Sequence, residues 1–178
     1  HVFPDGGATF PTGDGGWIYV SNSELLNNNG GASAVRFGGD ATIVDAYAIC
    51  TGTSTNCAGG ATPWGTWLTC EEVDDGQVWE CDPTGREQAI ARPALGRFRH
   101  EAVACDPAER VLYLTEDSDG GQLYRFRPAR WEDLTEGVLE AASTDEVTGA
   151  VAWVAPDDER ATTYAGGEGI AFHAGKVV

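Results

Sequence analysis

Methionine is missing from all 178 residues, position 1 included, and only three histidines occur. A chain without an initiator is expected to begin after processing or to be a piece of something longer. No run of about 18 apolar residues exists, so no segment reads as a membrane-spanning helix. No basic-then-apolar segment opens the chain as an export signal would. Basic residues are scarce: 11 Lys and Arg stand against 28 Asp and Glu, a formal charge of -17. That balance argues against nucleic acid as a partner, because phosphate backbones need a basic surface. No G-x-S-x-G elbow, Walker loop, paired CxxC or H-E-x-x-H occurs, which disfavours serine hydrolases, nucleoside triphosphatases and the common zinc families. Helical periodicity is also scarce; only Pro128 to Gly137 reads as a helical turn or two, with Trp131 and Leu134 on one face.

What is present is a β-rich pattern, with hydrophobic residues at 42%, enough for a folded core. Three segments share one design: Gly16-Trp17-Ile18-Tyr19-Val20-Ser21-Asn22, Gly65-Thr66-Trp67-Leu68-Thr69-Cys70-Glu71-Glu72 and Val111-Leu112-Tyr113-Leu114-Thr115-Glu116-Asp117. Each ends in a small polar residue or Cys and then a polar or acidic one. Their offsets, roughly 45–50 residues, are the length of a propeller blade. A partner strand precedes each run, at Gly6-Gly7-Ala8-Thr9-Phe10, at Cys57 to Thr62 and at Glu101 to Cys105. A fourth copy starts at Glu168-Gly169-Ile170-Ala171-Phe172 and leads into His173 to Val178. Asp-Gly pairs at 14–15, 75–76 and 119–120 mark hairpin turns. Further strands follow at Gln77 to Pro83 and Gln122 to Pro128.

The expected fold is all-β: a β-propeller, present as a partial fragment of about three and a half blades, in one domain. The blades fall roughly at 1–50, 51–97 and 98–160, with the start of another at 161–178. Propellers close with about four to eight blades, so the natural protein is expected to continue past Val178.

Residues at equal positions in successive blades face one another at one mouth of the central channel. The inner strands start at Cys57, Glu101 and Glu168, and the neighbouring strands end at Glu71-Glu72 and Glu116-Asp117. In an antiparallel pair these two sets share a rim. So many carboxylates together must share protons or bind cations. Carboxylate oxygens suit hard ions such as calcium, and a thiolate adds affinity for a transition metal such as iron or zinc. Cys57, Glu72, Glu101, Glu116 and Glu168 are the candidate ligands, against the alternative of solvated strand ends. Glu71 and Asp117 are weaker candidates, because strand alternation turns one member of each acidic pair away.

Of the histidines, His100 reads as a ligand, a phosphate-contacting group or a surface residue; His1 and His173 are given no chemistry. Asp117-Ser118-Asp119-Gly120 opens like a calcium loop but lacks the later acids. Five cysteines, an odd number, leave at least one thiol outside intramolecular pairing. Cys70 and Cys81 flank the Asp75-Gly76 turn and are expected to lie side by side. Cys57 is open to a disulfide as well as to a metal.

The block Asn56-Cys57-Ala58-Gly59-Gly60-Ala61-Thr62-Pro63-Trp64-Gly65-Thr66-Trp67-Leu68-Thr69-Cys70-Glu71-Glu72 resembles the signature of PhoX-type alkaline phosphatases and their uncharacterised bacterial relatives. Phe98 to Ala104, Tyr113 to Asp117, the opening Phe3 to Phe10 and Gly167-Glu168-Gly169-Ile170 resemble further blocks of it, in order. The resemblance implies an exported propeller, periplasmic or secreted, that holds iron and calcium in its mouth and hydrolyses phosphomonoesters. It implies that Cys57 is an iron ligand and that Glu72, Glu101, Glu116 and Glu168 are carboxylates shared between iron and calcium. Gly166 and Gly167 leave no cation beside Glu168. Arg99, next to His100, is the nearest phosphate clamp, with a surface salt bridge as its alternative. The competing reading is a non-catalytic propeller, tied together by calcium, that binds a partner or builds a cell-surface assembly. A metal-dependent lactonase or esterase is a third, by analogy of fold only.

Overall fold

The computed structural model describes residues 2–178, and no α-helix forms among them. Three antiparallel meanders follow one another. The first comprises β1 (Pro4–Pro11), β2 (Trp17–Ser23), β3 (Gly30–Phe37) and β4 (Ile43–Thr53). The second comprises β5 (Asn56–Ala61), β6 (Trp67–Glu71), β7 (Val78–Cys81) and β8 (Ile90–Ala91). The third comprises β9 (His100–Asp106), β10 (Val111–Glu116), β11 (Leu123–Arg130), β12 (Asp133–Thr144) and β13 (Val151–Val154). A two-stranded piece, β14 (Phe172–His173) with β15 (Lys176–Val177), starts a further sheet. This is the radial repetition of a β-propeller.

The repeat is visible in the turns. Thr12 donates its amide to Gly16 O at 2.9 Å, and Thr62 donates to Thr66 O at the same distance. Gly15 and Gly65 close the same turns from inside. The sheets pack face to face, so the middle strand of the second meander is buried throughout. Trp67 on one face joins the core shared with the first sheet, beside Ile18, Val20 and Ile49. Leu68 on the other joins the core shared with the third sheet, beside Val103, Leu112 and Phe126. Alternation along a strand assigns odd and even residues to different interfaces. Each fully buried Leu or Phe contributes roughly 1.5–3 kcal/mol.

Three expectations are corrected. Pro128 to Gly137 is no helix but the β11–β12 hairpin, in which Arg130 pairs with Asp133 across Trp131 and Glu132; Glu132 takes a positive φ of 74° to close it. Leu134 faces the core, as a strand residue. Glu168 to Ala171 do not form a strand; the hairpin there is β14 with β15, extended by one mutual pair of backbone bonds between Ala171 and Val178. Cys70 and Cys81 are not side by side: the register pairs Cys70 with Val78 and Trp67 with Cys81. The two thiols face different cores, Cys70 the third sheet and Cys81 the first.

The inner strands β1, β5 and β9 approach backbone to backbone. A Cβ on Gly6 would lie 2.6 Å from Ala58 Cα, and one on Gly60 would lie 2.0 Å from Val103 O. Neither neighbour is a flexible side-chain tip. Gly60→Ala is therefore expected to destabilise the fold by about 2 kcal/mol or more, as read from urea denaturation. Gly13→Ala, at a turn where a Cβ meets nothing within 4 Å, serves as the control and should stay within about 0.5 kcal/mol.

Candidate metal centre

Cys57 sits at a register shift between β5 and β6, between the pairs Asn56–Glu71 and Gly59–Thr69. A bulge of this kind re-aims a side chain. Asn22, fully buried at the end of β2, pins it: its amide nitrogen donates to Cys57 O and Ala58 O at 2.7 Å each, and its oxygen accepts from Trp67 Nε1 at 2.9 Å. Glu101 stands at the matching place in the third sheet, where β9 and β10 also shift register between Leu114 and Glu116. Ala102 N, just after it, donates to Thr115 Oγ1 at 3.1 Å.

These two irregularities bring Cys57 Sγ to 3.3 Å from Glu101 Oε1. Glu24, Cys57 and Glu72 each offer a ligand atom, all within 4.8 Å of one another. Glu24 is placed by its amide, which donates to Phe3 O at 2.9 Å beside the start of β1. Arg99 donates to Glu72 Oε1 at 2.7 Å, to Asp74 Oδ1 at 3.4 Å and to Asp117 O at 2.9 Å. Glu168 is held near by its chain: Gly166 N and Gly167 N donate to Ser118 O and Glu116 O.

The electrostatics match a crowd of like charges. Burial pushes the Glu101 carboxyl up to about 7, with Glu72, Glu168 and Asp5 adding to the rise. Burial also raises the Cys57 thiol, reinforced by Glu101, Asp5 and Glu72. Glu24 is raised by burial and then by Asp5 and Glu72. Among these acids the prominent cation is Arg99.

Placement of the sequence candidates is thus uneven. Cys57, Glu72 and Glu101 are brought together, and Glu168 lies within electrostatic reach. Glu116 is committed to its own hairpin, where its Oε2 accepts from Gln122 N at 3.1 Å and Tyr124 OH at 2.7 Å. Glu71 does the same one sheet earlier, accepting from Gln77 N and from Trp79 Nε1 through Oε2, and from Ser54 N through Oε1. Glu116 therefore corresponds to Glu71, and Asp117 to Glu72. His100 is no surface residue: its ring is fully buried, 3.7 Å between centroids from Phe98, with Nε2 at 3.2 Å from Gly96 O. It occupies the place of the buried Asn56 in the second sheet. His173 is exposed on β14, and His1 lies outside the described residues. Sequence reasoning missed Glu24 and Asp5. Glu24 lies two residues past the repeated run, and Asp5 directly precedes the Gly-Gly pair of the first inner strand; proximity to those repeats was the available signal.

Glu71 and Glu72 separate structural from site acids. Glu71→Ala should cost about 2–4 kcal/mol of stability, since it strands buried donors. Glu72→Gln in metal-free protein should stay within about 1 kcal/mol or stabilise, because it relieves repulsion while forfeiting a partly exposed ion pair. Chemical denaturation of both variants checks this.

A family model described as alkaline phosphatase PhoX matches residues 13–78 and 73–174. No curated protein matches the chain. Among solved structures it is similar to Pseudomonas fluorescens PhoX in complex with vanadate, a transition state analogue. The TM-score is 0.72 at 20% identity, covering 86% of this chain and 48% of that one. The chain spans about half the length of the solved structure it matches, and that likeness shows the propeller fold. With the family model matching most of its residues, the chain belongs to the alkaline phosphatase PhoX family.

Proposed function

We propose that this chain forms part of a secreted or periplasmic phosphomonoesterase that uses iron and calcium at the propeller mouth. The observation that carries the reading is the convergence of Glu24 from the first sheet, Cys57 and Glu72 from the second and Glu101 from the third onto one small volume. The donor set fits cations: several hard oxygens and one soft sulfur, crowded until Glu101 retains its proton near neutrality. Cys57 with Glu24, Glu72, Glu101 and Glu168 would hold them, with iron on the thiolate side and calcium among the carboxylates. Bound cations supply Lewis acidity, which draws charge off phosphoryl oxygens.

The chain's own contribution is placement. Arg99 is anchored at the mouth by its bonds to Glu72 and Asp117 O, and its side chain remains 39% exposed. A planar fork of donors matches two phosphoryl oxygens, so we assign Arg99 to orienting the phosphoester. His100 is left out of this assignment, because its enclosed ring has no path to a substrate. The vanadate held by the Pseudomonas fluorescens relative supports a phosphoryl-transfer site in the family.

Three measurements test the proposal on the full-length protein that contains this chain. Elemental analysis should find iron and calcium. Hydrolysis of an aryl phosphate should vanish on chelation and fall at least ~10–100-fold in Cys57→Ser and Glu72→Ala, through lost metal affinity. Arg99→Ala should lower activity while leaving metal content intact. A metal-loaded protein without turnover, whose melting temperature still drops on chelation, would instead establish the calcium-tied scaffold.

A further inference from the structure

Away from the mouth, two buried thiols meet that the proposed chemistry does not use. Cys50 on β4, the outermost strand of the first sheet, is 5% exposed, and Cys81 on β7 of the second sheet is fully enclosed. Both belong to the core that joins these sheets, where each thiol acts on the other's proton affinity through a side-chain contact. Close by, Tyr47 of β4 donates its hydroxyl at 2.9 Å to the carbonyl of Pro83, two residues past the end of β7, which ties the first sheet to the second. Both cysteines are free thiols.

Access is one-sided. A surface groove of about 340 Å³ is lined by Cys50, with Ile49, Trp79 and Arg86 among its walls, and Cys81 lies behind it. A small reagent in that groove reaches Cys50 first.

We propose that Cys50 and Cys81 are a redox pair that closes into a disulfide, latching the outer edge of the first blade to the second. The oxidant is a small-molecule disulfide. The Cys50 thiolate attacks one of its sulfurs, forming a mixed disulfide and releasing one thiolate. The Cys81 thiol then loses its proton and attacks the Cys50 sulfur, releasing the second thiolate. Two protein thiols are oxidised and one small disulfide is reduced to two thiols. The bridge encloses the chain between the two cysteines, a closed loop that limits the unfolded state. This inference does not depend on the metal-centre reading.

The test incubates the folded chain with oxidised glutathione, removes the reagent and counts thiols in denaturant. Five are present in the reduced chain; three should remain after oxidation, returning to five with a dithiol reductant. Peptide mapping with fragmentation should locate the link between Cys50 and Cys81. The oxidised chain should melt roughly 5–10 °C higher than the reduced one. Cys50→Ala and Cys81→Ala should each form no link, whereas Cys57→Ala and Cys70→Ala should form it unchanged. Should either bridge variant fail to fold, mapping of the unaltered chain decides. Five thiols after oxidation, a link through other cysteines, or a link without a rise in melting temperature would overturn the proposal.

Discussion

Gly6 and Gly60 let the three inner strands touch backbone to backbone, where any side chain would strike Ala58 or the Val103 carbonyl. The geometry of the mouth depends on that approach. Strands held apart by ordinary side chains would carry Cys57 and Glu101 beyond hydrogen-bond reach, and their acids would be solvated singly. Close strands instead stack the ends of successive sheets around one axis. The bulges at Cys57 and near Glu101 then turn the thiol and the carboxyl toward each other.

That crowding has an electrostatic cost. Beyond the effect of burial, Asp5 and Glu72 raise the proton affinity of Glu24, Cys57 and Glu101, and Glu168 adds to that of Glu101. Arg99 offsets part of it through Glu72 and Asp74. A cluster of this kind is less stable empty than filled, the arrangement expected where binding of cations stabilises the folded state.

Around the mouth the fold repeats a second device. Glu71 and Glu116 each close their hairpin by accepting from a backbone amide six residues on and an aromatic donor eight residues on, Trp79 in one case and Tyr124 in the other. The acidic pairs 71–72 and 116–117 therefore have one structural member and one that faces elsewhere. Alternation correctly implied that the members of a pair part company; it did not say which member the hairpin takes. In the third sheet the donors at Gln122 and Tyr124 decide it, and they select Glu116.

The sequence by itself determined the repeated inner strands and the hairpins that follow them, because those follow from local alternation, Asp-Gly turns and a β-rich run that recurs three times along the chain. It also placed Cys57 and Glu101 at equal positions of neighbouring blades. Only the tertiary structure decided that Glu24 and Asp5 join them, that His100 is buried under Phe98, and that Cys81 meets Cys50 rather than Cys70. Those outcomes turn on which face of a strand meets which sheet and how far a bulge rotates a side chain. Such relations hold between residues distant along the chain, and no local pattern encodes them.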